Sequence, residues 1–130
     1  MKVLAETILP SQNFLKPSTV NFIFECLRNN KIEDLPPAPI VRRDNAGNLI
    51  AIDGHNLIAV KLYKREEVEV HLASHATDGL PPTSIANIQR NKDLYEKFET
   101  VLQDYAKLQT EGINTFEDLT GRYSELFQGK

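Results

Sequence analysis

Asp53-Gly54-His55-Asn56 places a carboxylate, a glycine, an imidazole and an amide in four consecutive residues. They lie directly behind the apolar run Leu49-Ile50-Ala51-Ile52 and directly ahead of Leu57-Ile58-Ala59-Val60. The pattern predicts a strand that passes through a glycine turn into a helix. The first N–H groups of a helix lack intrahelical partners and its dipole is positive there, so a phosphate or carboxylate can be held at such a turn. Gly54 lets a ligand approach the backbone, and Asn56 offers it a hydrogen bond. His55 is the candidate general acid or base, kept neutral by the helix N-terminus, and its structural alternative is an imidazole that packs the turn. Asp53 also has two readings. It can help hold the Mg²⁺ of a bound nucleotide, or it can cap the helix that follows.

Other polar groups suggest less chemistry. Arg42 and Arg43 are consecutive on an expected strand, so at most one of them can face a pocket. Lys61, Lys64 and Arg65 share one helical face, most simply a solvated stripe. His71 falls in an expected strand and His75 in a loop, so the two do not share the helical face of a metal-binding pair, and no metal site is expected. The single cysteine, Cys26, excludes an internal disulfide and reads as a small buried hydrophobe.

The elements that must position the turn can be read from spacing. Residues 8–15, punctuated by Pro10 and Pro17, form an extended lead-in. Ser18 is the expected cap of a helix over residues 19–28, where Val20, Ile23, Phe24 and Leu27 recur at helical spacing. After the stiff Leu35-Pro36-Pro37-Ala38-Pro39, residues 40–43 and 49–52 make a hairpin around Asp44-Asn45-Ala46-Gly47-Asn48. A helix over residues 54–65 follows, and then a half-buried strand over residues 67–72, where Val68 and Val70 alternate with Glu69 and His71.

Residues 74–82, with Asp78-Gly79 and Pro81-Pro82, read as a loop, after which Thr83 or Ser84 caps a short helix over residues 84–89. A longer helix over residues 92–110 shows Leu94, Phe98, Val101, Leu102, Tyr105 and Leu108 on one stripe, closed by Gly112. Asn114 and Glu117 resemble a capping box for a last helix with Phe116, Leu119, Tyr123, Leu126 and Phe127 inward. The expected layout is an α/β unit over residues 1–75 with a helical extension over residues 76–130 packed on it, one compact domain overall.

Composition supports one core and narrows the partners. The chain has 130 residues, 41% of them apolar and 25% charged, enough for one ordinary domain. Its formal charge of -3 argues against a surface that binds polyanions generally, so any phosphate site must be local. From residue 92 to 130 there are five basic and eight acidic residues, a poor composition for a DNA-reading tail. The apolar run over residues 1–9 is short and interrupted by Lys2 and Glu6, matching neither a signal peptide nor a membrane span, and a cytoplasmic protein is expected.

The order of elements, with Ile52-Asp53-Gly54-His55-Asn56-Leu57-Ile58-Ala59 at its centre, resembles the N-terminal domain of the ParB and sulfiredoxin superfamily. The likeness spans roughly the first 75 residues. A proline before a short strand, a hairpin, an aspartate-glycine-histidine turn, a helix and a valine-rich strand recur there in this order. They are matched by Pro39, the segments around Gly47, Asp53 to Asn56, and Val68 to Leu72. The resemblance implies a small α+β, mixed-sheet domain that holds a nucleotide or other phosphate-bearing ligand at the Asp53-Gly54-His55-Asn56 turn, with Mg²⁺ as a possible companion. It implies His55 and Asp53 as catalytic residues and Gly54 and Asn56 as ligand-binding ones. The context it suggests is DNA-linked or one of plasmid and chromosome partition. The reaction is left open among nucleotide hydrolysis, phosphotransfer and nuclease chemistry.

Two departures from the family pattern bear on that chemistry. Sulfiredoxin needs a cysteine in the turn, and Gly54 occupies its place, so that reaction is not expected. Many nucleotide-binding members carry an arginine one or two residues after the histidine, where this chain has Asn56 and Leu57. A charge-assisted hydrogen bond contributes about 1.5–3 kcal/mol, so its loss weakens phosphate binding by roughly one to two orders of magnitude unless Arg42 or Arg43 compensates. The alternative is a non-catalytic interaction or regulatory module that acts through its C-terminal helices, on a protein partner or a second copy of itself.

Overall fold

A computed structural model of the chain describes residues 1–75 and 88–130. Among them are six short strands, five α-helices and two short 3₁₀ helices, an α+β arrangement of mixed sheets. The strands are β1 (Lys2–Leu4), β2 (Ile8–Leu9), β3 (Ile40–Arg43), β4 (Leu49–Asp53), β5 (Glu67–Glu69) and β6 (His71–Leu72). The α-helices are α1 (Pro17–Arg28), α2 (His55–Lys64), α3 (Ile88–Thr110), α4 (Phe116–Gly121) and α5 (Ser124–Phe127).

The main sheet has the order β2-β4-β3-β6. β3 and β4 form the expected antiparallel hairpin, while β2 joins β4 and β6 joins β3 in parallel. In the hairpin loop Asp44 accepts hydrogen bonds from the N–H groups of Ala46 and Asn48, at 2.9 and 2.8 Å, and Gly47 takes φ +86°. The short aspartate side chain thus replaces backbone partners that the turn cannot supply.

β4 explains the apolar run ahead of the turn. Leu49 and Ala51 join one core cluster, with α1 and α2, while Ile50 and Ile52 join a second with Leu94 and Val101 of α3. Successive strand residues face opposite ways, so a strand covered by helices on both faces is apolar at every position.

Several expectations shift. α1 begins at Pro17, two residues earlier than a Ser18 cap requires; proline's fixed φ and missing N–H suit the first helical residue, and Lys16 becomes the N-cap. The expected strand over residues 67–72 is broken at Val70, because β5 pairs with β1 in a separate two-stranded sheet while β6 pairs with β3. Val70 donates its N–H to the Met1 carbonyl and His71 donates to that of Pro39, so the chain crosses from one sheet to the other within one residue. Ile88 and Gln89 are continuous with the long helix α3 (Ile88–Thr110) and do not belong to a separate short one. The remainder of that short helix, its Thr83 or Ser84 cap, and Asp78-Gly79 and Pro81-Pro82 lie outside the described residues.

At the C-terminal end the capping box falls one residue later than expected. Thr115 accepts from the Asp118 N–H at 3.1 Å, and Asp118 accepts from the N–H groups of Thr115 and Asn114. The last helix is also two pieces, α4 and α5, separated at Arg122 and Tyr123. Its stripe survives the break: Phe116, Leu119 and Phe127 are buried with Leu108 and Ile113 in the same cluster as α1 and α2. No helix among the described residues is long and apolar enough to cross a membrane.

Candidate functional site at the turn before α2

Gly54 is the N-cap of α2 and takes φ +89°, a left-handed conformation that a side chain disfavours. A Cβ placed on it would lie 2.6 Å from the Pro39 Cβ and 2.8 Å from the Pro39 Cα. The close approach that requires glycine is therefore made by Pro39, from the proline-rich segment leading into β3. Asp53 ends β4 in register with Ile40, and the N-cap position belongs to Gly54, not to Asp53. The N-cap position weighed for Asp53 is corrected accordingly: β4 runs one residue further than expected and carries Asp53 in the strand.

His55, the first residue of α2, points into the protein and is only 2% exposed. Its Nε2 accepts the backbone N–H of Ser11 at 2.9 Å. An accepting Nε2 leaves the ring proton on Nδ1, so this is a neutral imidazole. The ring lies 5.4 Å from that of Phe116 in α4, tilted by 38°. Burial foremost, and the nearby Lys97 charge second, push its pKa down to about 3. Without water around it, the charged form loses its solvation. His55 therefore remains neutral at physiological pH and is sealed behind the Ser11 segment.

Ser11 ties that segment down with all its polar groups. Its N–H reaches His55, its hydroxyl donates to the Ala51 carbonyl of β4, and its own carbonyl accepts from Lys97 Nζ at 3.0 Å. Lys97 in turn pairs with Asp104 at 3.1 Å, and Thr100 donates to the same carboxylate oxygen. Asn56 completes the tie from the other side: its Oδ1 accepts the Lys16 N–H at 2.8 Å, fixing the chain where α1 begins.

The two arginines are engaged with backbone carbonyls. Arg42 donates to the Phe98 carbonyl of α3 at 2.6 Å, and its guanidinium lies 4.4 Å above the Phe98 ring. Arg43 is exposed and donates to the Gly47 carbonyl within its own hairpin, at 3.1 Å. The strand separates the two onto opposite faces, as alternation requires. Cys26 is buried in α1, and burial followed by the charges of Asp34 and Glu25 raises its thiol pKa. A raised pKa disfavours the reactive thiolate.

Ser11, Lys97 and Phe116 are the participants that spacing did not single out for this site. Ser11 is a small polar residue between Pro10 and the polar pair Gln12-Asn13, with no motif around it. Lys97 and Asp104 carry a weak signal, since residues seven apart lie on the same face of a helix. Surface clefts of about 430 to 490 Å³ open elsewhere on the described residues, and residues 53–56 do not line them. No group of three or more metal-ligating side chains occurs among the described residues. The chain matches no family model, no curated protein and no solved structure.

Proposed function

We propose that this chain is a non-catalytic interaction or regulatory module on a ParB-like scaffold, in which the Asp53-Gly54-His55-Asn56 turn is a structural joint. One observation carries the reading: the imidazole of the turn is buried and its Nε2 is occupied by the Ser11 N–H. A general acid or base must reach the proton it transfers, directly or through one water. Here the imidazole reaches its own chain. The acidic balance of residues 92–130 favours contacts with proteins over nucleic acid. The test is turnover and binding with ATP, CTP and ADP in the presence of Mg²⁺. The expected result is no hydrolysis and no phosphotransfer; turnover that a His55→Gln change abolishes would overturn the reading.

A second reading is favoured by the bare N-cap. Gly54 makes no side-chain capping bond, so the first N–H groups of α2 lack a side-chain oxygen from the cap residue. That leaves a phosphate-bearing ligand, with or without Mg²⁺, as an occupant of the turn, in a partition or other DNA-linked setting. Calorimetric titration with millimolar nucleotide separates the two readings. A saturable heat, lost on changing Gly54 to a bulky residue that still folds, selects the ligand-binding one.

A further inference from the structure

Three aromatic rings meet where α1, α2 and α5 converge. Phe24 packs edge-on against Tyr63 at 5.8 Å and Phe127 at 5.9 Å, and Tyr63 lies 5.5 Å from Phe127. Phe24 and Phe127 are buried, whereas Tyr63 is 45% exposed. Beside Tyr63 and Phe127 opens a cleft of about 490 Å³, whose lining includes Leu4, itself 47% exposed.

The charge in that cleft is unbalanced. Glu6, Glu66 and Glu117 line it together with Arg65. Glu66 is already paired with Lys61 at 3.2 Å and Lys64 at 3.9 Å. Among the described residues neither Glu6 nor Glu117 takes part in an ion pair. With Glu66 set against its two lysines, Arg65 is the one cation among the described lining residues, so Glu6 and Glu117 leave one carboxylate unbalanced beside Tyr63 and Phe127.

We propose that this cleft docks a partner polypeptide that inserts an arginine or lysine side chain beside an apolar one. The proposal rests on the interaction-module reading and names the surface and the partner's chemistry. Ring faces attract cations, and carboxylates add charge-assisted hydrogen bonds to a guanidinium or ammonium. Outside the cleft, a cation already sits on one ring of this aromatic group: Lys130 Nζ lies 5.5 Å from the Phe24 ring centroid. A polypeptide fits better than a free cation, because Leu4 and Tyr63 present apolar surface that only an adjoining side chain would cover. The volume lies within the roughly 300–1,000 Å³ of sites that enclose a ligand, enough for a few side chains.

The test is an amide NMR titration of the whole chain with the capped peptide acetyl-Gly-Leu-Arg-Gly-amide. The neutral citrulline peptide and the glutamate peptide serve as comparators. Expected are saturable shifts at Leu4, Tyr63 and Thr120 with the arginine peptide, about tenfold weaker binding of the citrulline peptide, and none of the glutamate peptide. The Glu6→Gln/Glu117→Gln variant should lose about tenfold in affinity while keeping its folded spectrum, and Glu117→Gln alone serves if the double variant does not fold. Absence of saturable shifts, equal binding of the citrulline peptide, or unchanged affinity in the folded variant overturns the proposal. A failed titration together with a stable dimer by light scattering removes this cleft and leaves the module reading standing. A failed titration together with His55-dependent nucleotide turnover removes both.

Discussion

Ser11 donates its backbone N–H to Nε2 of His55 across 2.9 Å, within a buried site that also holds the Phe116 ring. The bond joins the segment ahead of α1 to the first residue of α2, and the ring contact joins both to α4. His55→Ala removes the acceptor and leaves a cavity, so we expect a loss of about 3 to 4 kcal/mol in urea unfolding. His55→Gln should lose less, because an amide can still accept from Ser11. A loss below about 1 kcal/mol for alanine would show that the bond is incidental.

The burial of His55, with the Lys97 charge second, gives stability a pH dependence. The folded-state pKa of His55 is about 3, against 6.5 in an unfolded chain. Between those values the unfolded chain binds a proton that the folded one refuses, so stability rises with pH across that window. The contribution is complete above pH 6.5 and is lost towards pH 3, by at most about 1.4 kcal/mol per pH unit. The His55→Gln variant should show a flatter profile. An imidazole NMR titration that places His55 near its ordinary value contradicts the burial argument.

Gly54 and Pro39 predict a substitution that fails for two separable reasons. Gly54→Ala meets both the positive φ and the Pro39 contact, and should destabilise by about 2 to 4 kcal/mol in chemical unfolding. Asparagine tolerates a left-handed conformation better than alanine but carries the same Cβ. Gly54→Asn should therefore rescue little. Near-complete rescue by asparagine would mean that backbone conformation alone demands glycine here.

Arg42 ties β3 to α3 through the Phe98 carbonyl and ring. Arg42→Met should lose about 1 to 3 kcal/mol and raise hydrogen exchange in α3 more than in α2. Arg42→Lys recovers only part, since an ammonium lacks the planar fork that stacks and donates together. Unchanged exchange in α3 would show that its apolar stripe alone holds it down.

Much of the fold was legible because local rules agree with it. The hairpin around Asp44, the helix behind Gly54 and the stripe Leu94, Val101 and Leu108 each follow from periodicity and turn chemistry within a few residues. Boundaries moved where neighbours intervened. Pro17 displaced Ser18 from the expected cap, and Thr115 with Asp118 displaced Asn114 with Glu117. The strand over residues 67–72 was divided between two sheets because Met1 and Pro39 compete for its ends. Those partners lie 69 and 32 residues away, beyond any local window.

The turn itself divides the same way. Its residue types and spacing determined that a strand must give way to a helix at Gly54, with His55 and Asn56 in the first turn. Whether those side chains face a ligand or the protein depends on what the rest of the chain brings to them. Ser11, Lys16, Pro39, Phe116 and Lys97 converge on this turn from distant elements, and together they bury the imidazole, occupy the amide and fill the space beside the glycine. A sequence states which groups are available for chemistry. Tertiary packing decides which of them keep a free atom, because desolvation and hydrogen-bond satisfaction are set by neighbours in space.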